Sequence, residues 1–297
     1  MSGELRLIIV SGLSGSGKSV ALHVLEDLGY YCIDNLPAGL LTAAVNEIQA
    51  HEVGTVKQLA VGVDARNHTK NLDALPGLLQ ELRKQGVSTD IIFLHASDEI
   101  LLQRYSESRR RHPLAEKGQQ LRAAIERERT ILNELQLSAD LIIDTSRSSI
   151  YELAEVIRSR VDRRGVEEKL SVLVESFGFK HGIPTDADFV FDLRSLPNPY
   201  WTITLRGLTG LDPEVQDFLD SHDKFTAMCE DISSFLARWI PHYRDANRGY
   251  LTVAIGCTGG QHRSVHMTEK VAAELRKHHD SVLTRHNNLP ELRLNQD

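Results

Sequence analysis

Cysteine is scarce. Only Cys32, Cys229 and Cys257 occur in 297 residues; they lie far apart, are odd in number and form no Cys-x-x-Cys pair. That pattern excludes a disulfide framework and a zinc knuckle, and it points to a reducing compartment. Long apolar runs are also missing. No stretch approaches the roughly 18 apolar residues of a membrane helix. The opening segment, MSGELRLIIVSG, has too short an apolar run for a secretory leader. These absences set the expectation of a cytoplasmic protein with no membrane partner. Excess positive charge is absent as well. The formal net charge is -7, which argues against coating nucleic acid by bulk attraction and leaves only a local basic patch open. There is no internal repeat and no low-complexity tract.

What remains is an ordinary globular composition, 41% hydrophobic and 25% charged, in a chain long enough for two α/β domains with separate cores. In the first half, short apolar runs alternate with helix-patterned segments. LRLIIV (5–10), YYCID (30–34), VKQLAVGVD (56–64), DIIFLHA (90–96) and LIID (141–144) read as strands. SVALHVLEDLG, AGLLTAAVNEIQA and NLDALPGLLQELRKQG read as helices, the last interrupted or kinked near Pro76. Ser149-Ile-Tyr-Glu152 is a capping-box pattern opening YELAEVIRSRV. This alternation predicts a mostly parallel sheet covered on both faces. The charged, glycine-broken stretch RSRVDRRGVEEKL (158–170) marks the boundary between domains at 1–162 and 168–297. Beyond it, SVLVESFG, DFVFDLR and YLTVAIG read as strands and HDKFTAMCEDISSFLARWIPHY as a long helix, giving a second, smaller α/β domain.

Two loops carry the chemistry. Gly12-Leu13-Ser14-Gly15-Ser16-Gly17-Lys18-Ser19 matches GxxxxGK[ST], after a predicted strand and before a predicted helix. Glycines let successive N–H groups turn around a phosphate at a helix N-terminus. Lys18 can reach the β- and γ-phosphates, and the Ser19 hydroxyl can ligate Mg²⁺. Asp34, at the end of the second strand, is placed either to hold a Mg²⁺-bound water or accept a proton from an attacking hydroxyl, or to form a turn before Asn35 and Pro37. Asp64-Ala65-Arg66-Asn67 ends the third strand. Its carboxylate could accept from guanine N1 and N2, or cap a helix. Asp144 is a metal-side carboxylate or a turn residue. Arg104, Arg109, Arg110, Arg111 and His112 form either a lid that closes arginines over a transferred phosphate or a solvated basic helix end. Lys18, Asp34 and Arg110 are the catalytic candidates.

The second loop is Gly256-Cys257-Thr258-Gly259-Gly260-Gln261-His262-Arg263-Ser264, with the Cys-x5-Arg-Ser spacing of cysteine phosphatases between a strand and a helix. Such an enzyme needs a thiolate, a phosphate-clamping Arg and an acid. Asp186, Asp188 and Asp192 are the available acids, but no clear acid loop stands out. A non-covalent anion cradle needs only the amides of 258–262 and Arg263. A purely structural strand–turn–helix is the third reading. With Lys180 and His181 of ESFGFKHG, and Asp192 and Arg194, the balance favours a pocket for a small phosphorylated polar molecule such as a sugar phosphate.

GLSGSGKSVALHVLEDLGYYCIDNLP, RYSESRRRHPL, ESFGFKHGIPTDADFVFDLRSLPNP and YLTVAIGCTGGQHRSV together resemble the RapZ/YvcJ family of bacterial P-loop nucleotide-binding proteins. The resemblance spans nearly the whole chain. It implies a P-loop kinase-like N-terminal domain that binds ATP at Gly12–Ser19, a GTP-associated site at Asp64–Asn67, modest ATPase and GTPase activity, and a C-terminal anion pocket. It further implies the family's adapter role: binding small regulatory RNAs, presenting them to an endoribonuclease, and sensing a phosphorylated amino sugar, in a homo-oligomer. The family's strongly basic tail is reduced here. Residues 276–297 hold four Lys/Arg against three acids, so RNA affinity would rest mainly on Arg276, Lys277, Arg285 and the neighbouring histidines. A small-molecule kinase and a cysteine phosphatase at Cys257 are the alternative functions.

Overall fold

The computed structural model describes residues 5–51, 56–67, 69–108, 110–115, 120–161, 170–246 and 248–289. The chain divides into two compact units, Met1–Asp162 and Arg163–Asp297.

The first unit is a five-stranded parallel sheet in the order β2-β3-β1-β4-β5. Its strands are β1 (Arg6–Gly12), β2 (Tyr31–Ile33), β3 (Gln58–Gly62), β4 (Ser88–His95) and β5 (Leu141–Asp144). Leu7 to Val10 of β1 have no exposed surface, which is why this run lacks alternation: both faces of the central strand are covered. The helices are α1 (Lys18–Asp27), α2 (Leu41–His51), α3 (Thr69–Lys84), α4 (Asp98–Ser108), α5 (Leu121–Leu137) and α6 (Ile150–Val161). The chain leaves β1 toward one side of the sheet and, after β3, crosses to the other. That reversal opens a crevice at the carboxyl end of β1, the place where ligands bind in open α/β sheets.

Two local expectations are resolved here. The capping box at the start of α6 forms, with Ser149 N–H on Glu152 Oε2 at 2.6 Å and Glu152 N–H on Ser149 Oγ at 3.2 Å. The expected interruption at Pro76 does not occur, and α3 runs through it as one helix. Leu72, Leu75, Leu79 and Leu82 form the buried stripe of α3, and their burial outweighs the lost backbone bond.

The second unit is a four-stranded parallel sheet in the order β7-β8-β6-β9. Its strands are β6 (Ser171–Gly178), β7 (Phe189–Asp192), β8 (Tyr250–Cys257) and β9 (Val282–His286), with helices α7 (Pro213–Asp220), α8 (Asp223–Asp245) and α9 (Arg263–Leu275). Val172, Val174, Leu251, Val253 and Ile255 line the face that packs against the helices. The direction of the chain reverses again, between β8 and β6, and the Cys257 loop stands at that point. Sequence patterning missed β9, because VLTRH is short and mixes apolar with charged residues.

Candidate functional site

Three carbonyl oxygens of the loop between β1 and α1 are held by side chains, one from the loop itself and two from outside it. Lys18 Nζ donates to Gly12 O at 2.7 Å. Arg104 Nη1 donates to Gly15 O at 2.9 Å, and the Thr145 hydroxyl to Ser16 O at 3.0 Å. In a planar trans peptide the N–H points opposite its C=O, so the Gly17 N–H points away from Thr145. The Lys18 and Ser19 N–H groups belong to the first helical turn, which leaves them without intrahelical partners. Gly17 has a φ of 108° and Gly15 of 90°, which only glycine adopts without cost. Gly12 is required for a second reason: a Cβ there would lie 2.1 Å from Leu94 O. The arrangement is an anion cradle at a helix N-terminus, with Ser19 exposed at its mouth.

Arg104, grouped by sequence with the lid arginines, has a different position. It also bonds Thr145 Oγ1 at 3.1 Å and Thr145 O at 2.6 Å, so it braces the loop against the end of β5. Arg110 is exposed, and Arg111 donates to Ala115 O at 2.8 Å. Arg109 lies outside the described residues.

A residue that sequence reasoning overlooked sits against the same loop. Glu128 of α5 accepts the Ser14 N–H at 2.8 Å on Oε2 and the Ser14 hydroxyl at 2.6 Å on Oε1, and His112 Nε2 lies 3.2 Å from Oε2. Glu128 is 1% exposed. Burial alone would raise its carboxyl, but the bonds from His112 and Ser14 and the nearby Lys18 charge hold it below the usual range. The available signal was a Glu on the apolar stripe of α5, in phase with Ala124, Ile125, Leu132 and Leu135. Burial also lowers the Lys18 ammonium, while Glu128, Asp64 and Asp34 favour its charged form.

Asp34 and Asp64 reach the same edge of the sheet from β2 and β3. Asp34 is exposed, and its Oδ1 occupies the space a Cβ on Gly62 would need, 2.7 Å away. Asp64 is buried, and both of its oxygens are engaged by Arg66: the backbone N–H at 2.9 Å on Oδ1, and Nε and Nη2 at 2.9 and 2.6 Å on Oδ2. Burial would raise the Asp64 carboxyl, but Arg66 outweighs it and lowers it. Asn67 Oδ1 accepts the Ala38 N–H at 2.6 Å, tying this turn to the segment after β2. Asp144 caps its own turn, accepting the Ser146 N–H at 2.8 Å. Among the described residues no group of three or more His, Cys, Asp or Glu side chains could hold a metal ion.

At the second loop Cys257 Sγ lies 3.2 Å from both the Gly260 amide and Ser264 Oγ. Burial would raise the thiol, but Ser264, Gly260 and Arg263 hold it below its ordinary value. Arg263 does not point outward as a phosphate clamp. It is buried, and Nη1 donates to the carbonyls of Leu193, Arg194 and Leu196 at 3.3, 3.2 and 2.9 Å. Nη2 reaches Thr258 Oγ1 at 3.3 Å. Asp192 forms a two-pronged pair with Arg194, Nη2 to Oδ2 at 2.7 Å, which lowers its carboxyl and leaves it a poor proton donor. Asp188 bonds Arg248 and the Thr252 N–H, and Asp186 pairs with Arg285. Each of the three acids considered is therefore engaged by an arginine. The loop's glycines pack backbone on backbone: a Cβ on Gly178 would lie 2.6 Å from the Gly259 carbonyl carbon. Lys180 donates its N–H to Thr258 O at 3.2 Å, and its Nζ would lie 4.0 Å from a Cβ on Gly259. Arg194 stacks over the Phe179 ring at 3.9 Å. His262 is buried at the start of α9, and burial lowers its imidazole. His181 lies in the turn after β6.

The segment read as an RNA-binding tail is partly core. Arg285, in β9, places its guanidinium on Glu175 and Asp186. Arg276 Nε donates to Val282 O at 3.2 Å. Lys277, 60% exposed, pairs with Glu274. Residues 290–297, including Arg293, lie outside the described residues.

A phosphate-type loop at the carboxyl end of the central strand of a parallel sheet, joined in one chain to a second parallel α/β unit with a glycine-rich strand–loop–helix turn, defines a two-unit P-loop α/β protein. The chain belongs to the RapZ family: residues 5–164 match the RapZ-like N-terminal domain and residues 170–290 the RapZ C-terminal domain. It is 53% identical over 289 residues to a nucleotide-binding protein of Halorhodospira halophila, covering 97% of this chain and 100% of that one. It is 51% identical over 286 residues to a nucleotide-binding protein of Thioalkalivibrio sulfidiphilus, covering 96% and 100%. Among solved structures it is similar to shikimate kinase from Acinetobacter baumannii in complex with shikimate, at 21% identity and a TM-score of 0.36, over 56% of this chain and 97% of that one. A likeness that low supports no inference about ligands.

Proposed function

We propose that the N-terminal unit binds ATP or GTP with Mg²⁺ at Gly12–Ser19 and hydrolyses it slowly, and that nucleotide state governs which partner the protein engages. The observation that carries this reading is the Thr145 hold on the Ser16 carbonyl at the start of α1, which turns the Gly17 N–H away and leaves it, with the Lys18 and Ser19 N–H groups, for phosphate oxygens. The curated relatives' names as nucleotide-binding proteins agree with it. Lys18 stabilises charge on the terminal phosphates, Ser19 holds Mg²⁺, and Arg110 closes from the segment after α4. A GTP-specific contact at Asp64–Asn67 requires Arg66 to release the Asp64 carboxylate, because both oxygens are engaged.

In the same reading the C-terminal cradle takes a phosphorylated amino sugar. Amides of the Thr258–His262 turn other than that of Gly260, which donates to Cys257 Sγ, take the phosphate, with Lys180, His181, Asp192 and Arg194 at the rim. The protein acts in the cytoplasm as a homo-oligomeric adapter that presents a small regulatory RNA to an endoribonuclease. Calorimetry of the full chain with Mg²⁺ and each purine triphosphate tests the base of this proposal. Binding in the micromolar range that Lys18→Ala abolishes is expected; no heat with either nucleotide on folded protein would refute it.

A second reading, a small-molecule kinase, is favoured by one feature. Asp34 is exposed beside the cradle, where it could accept a proton from an acceptor hydroxyl. Phosphoryl transfer to a defined acceptor at rates far above hydrolysis would decide for it.

A further inference from the structure

Glu128 is a buried anion set against a loop built to bind anions. It takes both hydrogen-bond donors of Ser14, one on each oxygen, at 2.8 and 2.6 Å. Its third donor is fixed by the His112 tautomer. His112 Nδ1 accepts the Leu114 N–H at 3.1 Å, so the neutral ring carries its proton on Nε2, 3.2 Å from the carboxylate. The His112 side chain has no exposed surface. The segment that follows α4 is thus tied through His112 and Glu128 to the third residue of the phosphate loop. Glu128 and Lys18 also act on each other's charge, and Lys18 is the side chain that reaches the β- and γ-phosphates in such loops. A terminal phosphate and the Glu128 carboxylate would therefore be two anions near one ammonium.

We propose that Glu128 is a specificity-determining residue that discriminates between nucleoside di- and triphosphates: its carboxylate holds Ser14 as the loop's resident anion, and the terminal phosphate must bind against that charge or displace it. The inference rests on the nucleotide reading above. Displacement also frees His112 and so loosens the base of the arginine-bearing segment; a diphosphate, with less negative charge than a triphosphate, competes with Glu128 less strongly.

The test is calorimetry on the full chain with Mg²⁺, comparing ADP with a non-hydrolysable ATP analogue. Glu128→Gln keeps the side-chain shape and an acceptor for Ser14 while removing the charge. It should raise the ratio of triphosphate to diphosphate affinity by about tenfold, the scale for one unit charge nearby in a partly buried site. Ser14→Ala removes one of the three donors that hold the carboxylate. It should move the ratio in the same direction by a smaller factor, and it decides the matter if Glu128→Gln does not fold. A purely structural Glu128 would weaken both ligands alike, and an unchanged or lowered ratio overturns the inference. If the wild-type chain binds ADP and the analogue with an altered ratio in neither variant, this inference fails alone; if the wild type binds neither ligand, the nucleotide reading fails with it.

Discussion

The Arg285 guanidinium donates through Nε to Glu175 Oε2 at 3.0 Å, and the carboxylate it meets has no exposed surface. Arg285 is itself only 24% exposed. Removing one partner of a buried pair strands the other charge, a loss of about 3 kcal/mol or more. Arg285→Ala should therefore lower the urea-unfolding free energy by about that amount. A loss of RNA affinity in this variant would have to be read against that instability. A change below about 0.5 kcal/mol, the scale of an ordinary surface substitution, would show that the pair does not form.

The example separates what sequence could show from what it could not. The phosphate loop was legible because eight residues in a row obey one geometric rule, and the first sheet because its buried strands are short unbroken apolar runs. In the 276–289 segment a basic residue in a short strand looks the same on paper as one in a tail; Glu175, the partner of Arg285, is 110 positions away. Glu128 was hidden for the same reason, since Ser14 is 114 positions from it. The Arg104 assignment differed because membership of a basic run does not say which way one guanidinium turns.

Cys257 yields a prediction about pH. Its thiol sits below the ordinary value in the folded chain, held there by Ser264, Gly260 and Arg263 against burial. A depressed acid contributes stability that is complete above the unfolded-state pKa and is lost as pH falls through the folded one. The stability gap between the wild type and Cys257→Ala should widen as pH rises from the folded value toward the ordinary thiol range, then level off. Urea unfolding at a series of pH values measures this. A pH-independent gap would mean that the thiol stays protonated in the loop.

Arg263 is committed to the carbonyls of 193–196 and the Asp192 carboxyl is lowered by Arg194, so neither is set as a phosphate clamp or a proton donor. Phosphomonoester hydrolysis should be undetectable in the wild type and unchanged in Cys257→Ser. Turnover lost in that variant would restore the phosphatase reading.

Gly178→Ala should damage the second cradle specifically. The new Cβ would meet the Gly259 carbonyl carbon at 2.6 Å and Gly260 N at 2.9 Å. Backbone cannot rotate aside as a side chain can, so the end of β6 and the Cys257 loop must part. Overpacking of this kind costs about 1–3 kcal/mol. The first unit's nucleotide binding should survive, while binding of a sugar phosphate to the second should fall at least about tenfold, the factor that 1.4 kcal/mol represents. Equal losses at both sites, by calorimetry with each ligand, would argue for general unfolding instead.

Arg104→Lys distinguishes a brace from a lid. Arg104 reaches two carbonyls and a hydroxyl at once, Gly15 O, Thr145 O and Thr145 Oγ1. Lysine offers one ammonium and cannot span that set with a planar fork. If the arginine served as a mobile lid charge, lysine would keep the charge and diphosphate binding would be untouched. If it shapes the cradle, the Gly15 peptide loses its anchor before any ligand arrives, and diphosphate and triphosphate affinities should fall together. The expected loss is about tenfold, from one charge-assisted hydrogen bond worth about 1.5 kcal/mol. Loss confined to the triphosphate would return Arg104 to the lid, and would leave Thr145 alone to hold the loop against β5.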